Sequence, residues 1–274
     1  MFVTRFAPSP TGYLHRGHAL SALTAHAAAR DAGGRFLLRI EDIDTTRCRP
    51  EFEAALIEDL SWLGIAWDAP VRRQSDHFED YHAALSRLET DGLVYRCFRT
   101  RRDVAQAMAS APHGAMEVFI GGPLPATEES RRLADGEPFA WRLSLAAAAQ
   151  KLGDLQSLTF TDNDTPVTVQ PQLGGDVVLA RKDVGVAYHL AVVVDDALQG
   201  ITQVIRGEDL REATHVQRLL QAMLDLPTPT YRHHPLLRDT EGRRLAKRDH
   251  AETLRSLREH GMSALDLRGT LGFD

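Results

Sequence analysis

Lysine is almost missing from this chain. Only Lys151, Lys182 and Lys247 carry it among 32 basic residues, so nearly every positive charge is an arginine. A lysine here therefore invites a specific question, and Lys247 lies inside a motif described below. Cysteine is as scarce: Cys48 and Cys97 alone cannot build a disulfide framework, and a reducing cytoplasm is the expected location. No apolar run is long enough to span a membrane, so no membrane partner is expected. The first residues enter an apolar strand without the basic and apolar regions of a secretory signal. Low-complexity tracts and internal repeats are missing as well. The net charge of −6 offers no global attraction for nucleic acid.

What is present is a globular composition: 274 residues, 43% hydrophobic and 26% charged, enough for one large domain or two modest ones. Charge is uneven along the chain. Residues 41–59 are acidic apart from Arg47 and Arg49, whereas 231–248 collects Arg232, Arg238, Arg243, Arg244, Lys247 and Arg248. Local basic surface of that kind suffices to position a phosphate backbone.

The most informative stretch is 5–18, Arg-Phe-Ala-Pro-Ser-Pro-Thr-Gly-Tyr-Leu-His-Arg-Gly-His. Residues 1–6 read as a short strand. Two prolines and a glycine within 7–12 require a turn. From Leu14 the apolar residues Leu14, Ala19, Leu20, Leu23 and Ala27 repeat at helical spacing. Strand, tight loop and helix N-terminus form a phosphate-binding layout, because unpaired N–H groups and the positive end of the helix dipole face the anion. His15 and His18, with Gly17 between them, lie in the first turn, where imidazoles can donate to phosphate oxygens and the glycine admits a close ligand. The plain alternative for a lone His-x-x-His is a helix cap with two solvated histidines.

Further along, Gly33-Gly34 ends the first helix and 35–40 reads as a buried strand, giving a βαβ unit with a parallel pair. Glu41-Asp42-Ile43-Asp44 follows at the strand's carboxyl end, where ligands of open α/β sheets bind. Such carboxylates suit an ammonium group or a divalent metal, or are simply a solvated turn. Helices are expected over 50–64 and 77–91, and a strand over 93–97. From 98 to 175 glycine, proline and short polar breaks multiply, with strands around 141–143 and 167–169 forming a small α+β module. Tyr188 to Asp196 reads as an aromatic-headed apolar strand ending in two carboxylates, and a second strand ends in Arg206-Gly207-Glu208-Asp209. A helix is expected over 214–224 and a short strand over 233–237.

The run 5–18 resembles the His-Ile-Gly-His box of class I aminoacyl-tRNA synthetases, and its prefix Arg5 to Gly12 resembles the glutamyl branch. Arg16 replaces the usual aliphatic residue. Arg39-Ile40-Glu41-Asp42-Ile43-Asp44 resembles the glutamyl Arg-Ile-Glu-Asp-x-Asp segment, and Asp239 to Asp249 is similar to the Lys-Met-Ser-Lys-Ser loop, with Lys247 at the second lysine and Ala246 in place of serine. The resemblance implies an α/β fold: a class I, Rossmann-type nucleotide fold split by a connective insertion. Its halves are expected at 1–97 and 176–274, with the insertion at 98–175. It implies catalytic roles for His15, His18 and Lys247, and an ATP site from His15, Gly17, His18, Leu245 and Lys247. A glutamate site would come from Arg5, Ala7, Ser9, Glu41, Tyr188 and Arg206. Either Arg5 or Arg206 would read the substrate's side-chain carboxylate.

The family's zinc site, Cys-x-Cys followed by Tyr and a third Cys, finds only Cys97 here. Arg99, Phe119 and Pro123 stand at the other positions. A structural zinc needs about four donors, so zinc is expected to be absent. Only a short tail follows Lys247, and no anticodon-binding domain is expected. That form, with Ala111-Pro112-His113-Gly114, resembles the glutamyl-queuosine tRNA(Asp) synthetase family. The implied partners are L-glutamate, ATP with Mg²⁺, and tRNA(Asp) carrying queuosine, acted on by a monomer. Three alternatives are a minimal glutamyl-tRNA synthetase charging a tRNA 3′ end, a non-catalytic tRNA-binding paralogue, and a generic adenylate-forming nucleotidyltransferase acting on a small molecule.

Overall fold

The computed structural model describes residues 1–100, 102–104, 118–181, 185–237 and 252–273. Leu245, Ala246 and Lys247, and the segment 111–114, lie outside the described residues.

The chain begins as expected. Strand β1 (Val3–Phe6) leads through the 7–14 loop into α1 (Arg16–Asp31), and β2 (Arg35–Ile40) returns parallel to β1 with Phe6 opposite Leu38. Helix α2 (Pro50–Trp62) starts on Pro50, whose missing N–H would have been unpaired in any case. A third parallel strand, β3 (Asp68–Arg73), pairs with β2. It was not expected, and it holds Pro70 on a sheet edge, where no ladder donor is needed. Then come α3 (Phe78–Thr90), β4 (Val94–Cys97), α4 (Ala126–Ala134), β5 (Ala140–Leu143) and α5 (Leu145–Leu152). The hairpin of β6 (Thr159–Asp162) and β7 (Thr165–Thr168) precedes β8 (Val178–Arg181) and β9 (Gly185–Val186). The remainder comprises α6 (Tyr188–Leu198), β10 (Gln203–Gly207), α7 (Arg211–Met223), β11 (Thr230–His234), α8 (Leu254–Glu259) and α9 (Ala264–Thr270).

Among the described residues three sheets form, ordered β1-β2-β3, β10-β11-β6-β7 and β4-β5-β8-β9. The first two abut. The Thr202 N–H donates to the Val3 carbonyl at 2.9 Å, and the Val3 N–H donates to Thr202 Oγ1 at 2.9 Å. Strands β1, β2 and β3 run outward in chain order on one side and β10 and β11 on the other, and the carboxyl ends of β1 and β10 form the switch point where α/β folds bind ligands. The third sheet is antiparallel and draws strands from both sides of positions 97 and 175.

Three expectations are corrected. The Tyr188–Asp196 run is a helix, not a strand. Its residues Leu190 to Asp196 are all buried, and it packs against α3 and α7. A helix apolar on every face belongs in a core, and that burial overrides the β preference of three valines. The strand near 233–237 lies at Thr230–His234 instead and stops before Pro235, which has no N–H for a ladder. Residues 167–169 do not belong to the small module. The β6–β7 hairpin adds to the main sheet, where Asp162 pairs with Tyr231.

Asp195 and Asp196 lie in the last turn of the buried helix. Asp195 accepts from Arg72 Nε (2.6 Å), Gln74 Nε2 (2.7 Å) and the Tyr81 hydroxyl (2.9 Å). Removing that carboxylate leaves a buried amide and phenol unpaired and Arg72 with Asp80 alone, so Asp195→Ala is expected to lower stability by about 3–5 kcal/mol. Tyr81→Phe should cost only about 1 kcal/mol. Urea denaturation of both variants checks the ranking; equal losses would contradict it.

Candidate active site

The first turn of α1 is built by its two histidines. His15 is the N-cap, and its Nδ1 accepts from the Gly17 N–H at 3.1 Å, while His18 Nδ1 accepts from the His15 N–H at 3.2 Å. The rings stack with centroids 3.8 Å apart. With each Nδ1 accepting, the hydrogen of each neutral imidazole is on Nε2. Gly17 gives this packing room: a Cβ there would lie 3.0 Å from His15 Cε1, and the ring would have to shift slightly to admit it. The helix starts at Arg16, two residues later than the apolar repeat suggests, because His15 is used as a cap.

One residue beyond β2, Glu41 enters a buried charge network. Arg39, fully buried, donates through Nη2 to Glu41 Oε1 (3.2 Å) and through Nη1 to Asp196 Oδ1 (2.8 Å) and Gln199 Oε1 (2.9 Å). Arg5 Nε donates to Asp196 Oδ1 at 3.0 Å. Burial alone would lower the pKa of Arg39, but Asp196, Glu41 and Asp195 outweigh it and hold the guanidinium above its ordinary value. Burial would likewise raise Asp196, yet Arg5 and Arg39 hold it below the usual carboxylate range. For Glu41 burial wins, and its pKa is pushed up despite Arg39 and Arg5.

Arg206, at the end of β10, is held differently. Its Nε faces His233 Nε2 (3.2 Å), and its Nη2 donates to Thr214 Oγ1 (2.8 Å) and the Leu210 carbonyl (3.2 Å). Nη1 lies 3.4 Å from the Tyr188 hydroxyl. All of these partners are neutral.

A cavity of about 460 Å³ opens between β1 and β10 at their carboxyl ends. It brings together His15, Gly17 and His18 with Arg5, Ala7, Ser9, Glu41, Tyr188 and Arg206. Every expected site residue that the structure describes is therefore on one wall or another; Leu245 and Lys247 lie outside the described residues. A second cavity of about 540 Å³ shares Ser9, Thr11, Glu41 and Tyr188 and extends toward Asp44, Arg47, Gln74 and Arg181. Arg39, Thr214, His233 and Asp162 support this site without having been singled out. Arg39 carried a usable signal, since an arginine inside a buried strand demands carboxylate partners.

At the positions compared with a zinc site, Cys97 is buried at the end of β4, and Phe119 lies under two guanidiniums, Arg142 at 4.4 Å and Arg99 at 5.7 Å from its centroid. The Asp176 carboxylate ties the same segment down, accepting from the Tyr95 hydroxyl (2.9 Å) and the Gly121 and Leu145 N–H groups (2.8 and 3.0 Å). Among the described residues no group of three or more His, Cys, Asp or Glu side chains could hold a metal ion. No helix among them is long and apolar enough to cross a membrane.

His189, beside the site, has its pKa depressed to about 4 by burial and then by Arg206. An unfolded imidazole titrates near 6.5. Between those values the unfolded chain binds a proton that the folded chain does not, so stability falls as pH drops. Comparing thermal unfolding of the protein and its His189→Gln variant, the variant should escape a loss of about 1–2 kcal/mol between about pH 7 and about pH 5. Identical pH dependence in both would contradict a neutral buried His189.

Comparison with known proteins agrees with this geometry. Residues 1–270 match the family model "tRNA synthetases class I (E and Q), catalytic domain". The chain is 48% identical to the "Glutamyl-Q tRNA(Asp) synthetase" of Rhodobacter capsulatus, over 98% of this chain and 99% of that protein. It is 42% identical to the protein of the same name from Symbiobacterium thermophilum, over 100% of this chain and 86% of that one. Among solved structures it resembles a glutamate tRNA ligase from Elizabethkingia meningosepticum, crystallised in complex with its amino acid, at a TM-score of 0.76 and 28% identity. That match covers 95% of this chain and 53% of the ligase. The chain belongs to the class I tRNA synthetases of the glutamyl and glutaminyl type, over their catalytic domain.

Proposed function

We propose that this enzyme activates L-glutamate with ATP and transfers the glutamyl group to the queuosine base of tRNA(Asp). The observation that carries the reading is the pairing of opposite charges in one cavity. Glu41 presents a carboxylate to an ammonium group, and Arg206 presents a guanidinium whose partners are all neutral. An amino acid with an acidic side chain satisfies both. Arg5 already gives its Nε to Asp196, so Arg206, with the Tyr188 hydroxyl, is the reader of the side-chain carboxylate. The Ala7 to Ser9 loop borders the α-carboxylate.

ATP lies over the N-terminus of α1, where His15 and His18 donate to its phosphates and Gly17 allows close approach. Leu245 and Lys247 complete that site, and Mg²⁺ accompanies the nucleotide. The glutamate carboxylate attacks the α-phosphorus in line and pyrophosphate leaves; a hydroxyl of queuosine then attacks the adenylate's carbonyl, expelling AMP as the hydroxyl proton is lost. Lys247 stabilises the charge that grows on the phosphates. Positioning and electrostatics supply most of the rate. The product of transfer is named by the relatives from Rhodobacter capsulatus and Symbiobacterium thermophilum, which supports the choice of acceptor.

Lys247→Ala is expected to slow pyrophosphate exchange by about 100-fold or more while changing the KM for glutamate less than about threefold. Unchanged exchange would remove the lysine from the mechanism. The acceptor is tested with labelled glutamate, ATP and Mg²⁺ on tRNA from cells that make queuosine and from cells that cannot. Label in the first pool alone is expected. Label in both pools would mean charging of a 3′ end, and label in neither would mean a binding protein.

A further inference from the structure

Arg206 differs from the other buried arginines of this site in what touches it. Arg5 and Arg39 both bond Asp196, which compensates their charge inside the protein. Arg206 is oriented on its core side by an imidazole, a hydroxyl and a carbonyl. Neutral acceptors hold a guanidinium in place without discharging it.

The imidazole is His233 in β11, whose side chain is fully buried. Its Nε2 is 3.2 Å from Arg206 Nε, and its Nδ1 is 2.8 Å from Asp162 Oδ1. An arginine Nε always carries a hydrogen, so His233 Nε2 must accept it. The single hydrogen of the neutral ring is then on Nδ1, where it goes to Asp162. With the opposite tautomer, or a second proton, two N–H groups would face each other across 3.2 Å. Burial first, then the charge of Arg206, hold the ring's pKa below the ordinary histidine value, against a weaker pull upward from Asp162.

Asp162 itself is held from several sides. Arg211 Nε approaches Oδ2 at 3.1 Å, and the Asn163 amide reaches both Asp162 Oδ1 and the His233 carbonyl at 3.3 Å. The carboxylate arrives on the β6–β7 hairpin, and β6 pairs with β11 through Asp162 opposite Tyr231. The hairpin therefore meets the main sheet at the point where it supplies this carboxylate. The negative charge is kept one ring away from Arg206 and is shared with Arg211.

We propose that His233, with its tautomer set by Asp162, is a positioning residue that aims the Arg206 guanidinium at the side-chain carboxylate of the amino-acid substrate while leaving its charge available. This rests on the reading that Arg206 contacts that carboxylate. A carboxylate in place of His233 would orient Arg206 equally well but would neutralise it; the imidazole relay separates orientation from charge.

The test is ATP–pyrophosphate exchange with glutamate in four variants, with thermal unfolding alongside. His233→Phe, which fills the space without an acceptor, should raise the KM for glutamate about tenfold or more and move the KM for ATP less than about twofold. His233→Gln, whose amide oxygen can reach the place of Nε2, should recover most of that loss. Asp162→Asn, the mildest change, should raise the glutamate KM about threefold to tenfold by releasing the tautomer. Arg206→Gln separates the two claims. If it raises the glutamate KM while His233→Phe and Asp162→Asn stay within about twofold of the parent protein, the positioning role is overturned and the pocket reading stands. If Arg206→Gln leaves the KM unchanged, the pocket reading fails and the positioning role falls with it. Equal losses in the KM for ATP and for glutamate would show a general structural effect and also overturn the proposal.

Discussion

The buried carboxylates at the end of the valine-rich helix hold the site together. Asp195 and Asp196 lie where a helix dipole disfavours negative charge. They are tolerated because one arginine from each of three adjacent strands converges on them: Arg5 from β1, Arg39 from β2 and Arg72 from β3. The network therefore clamps a helix from the second half of the chain across the sheet of the first half. Burying several charges is justified only when every member is paired, so the loss of one strands the rest. Glu41, the next residue after β2, inherits its position from this clamp through Arg39.

Within that frame the site uses arginine in two ways. Arg5 and Arg39 are consumed by the structure, each bonded to a carboxylate of the protein. Arg206 is bonded by neutral groups, which on the proposed reading leaves its charge for a ligand. The contrast explains why three buried guanidiniums near one cavity need not compete for the same substrate group. It also assigns the β6–β7 hairpin a place in the site, since Asp162 reaches Arg206 only through His233.

Much of this was legible in the residues. The strand, loop and helix around His15 and His18 follow from local signals: two prolines and a glycine in the turn, then apolar residues at helical spacing. The place of Glu41 at a strand's carboxyl end followed from the βαβ pattern. What was not legible depended on partners distant in sequence. Valines from 192 to 194 favour a strand until the surrounding core makes them a helix interior. Strand β3 carries Pro70 and little apolar character, and its place at a sheet edge is set by β2. Arg5 and Arg206 are equal candidates as carboxylate readers in the sequence; the bond from Arg5 to Asp196, at a separation of 191 residues, is what favours Arg206 in the proposed reading. His233 looked like part of an ordinary short strand, and nothing near it in sequence announced Asp162.

On the proposed reading, one cavity selects an amino acid by matching Glu41 to its ammonium group and an uncompensated Arg206 to its side-chain charge. Pyrophosphate exchange supported by glutamate, glutamine and aspartate, each titrated with saturating ATP, tests this directly. Glutamine is isosteric with glutamate but carries no charge, so glutamate should exceed it by about 100-fold or more in kcat/KM, with aspartate too short to reach Arg206. Comparable kcat/KM for glutamate and glutamine would contradict the claim.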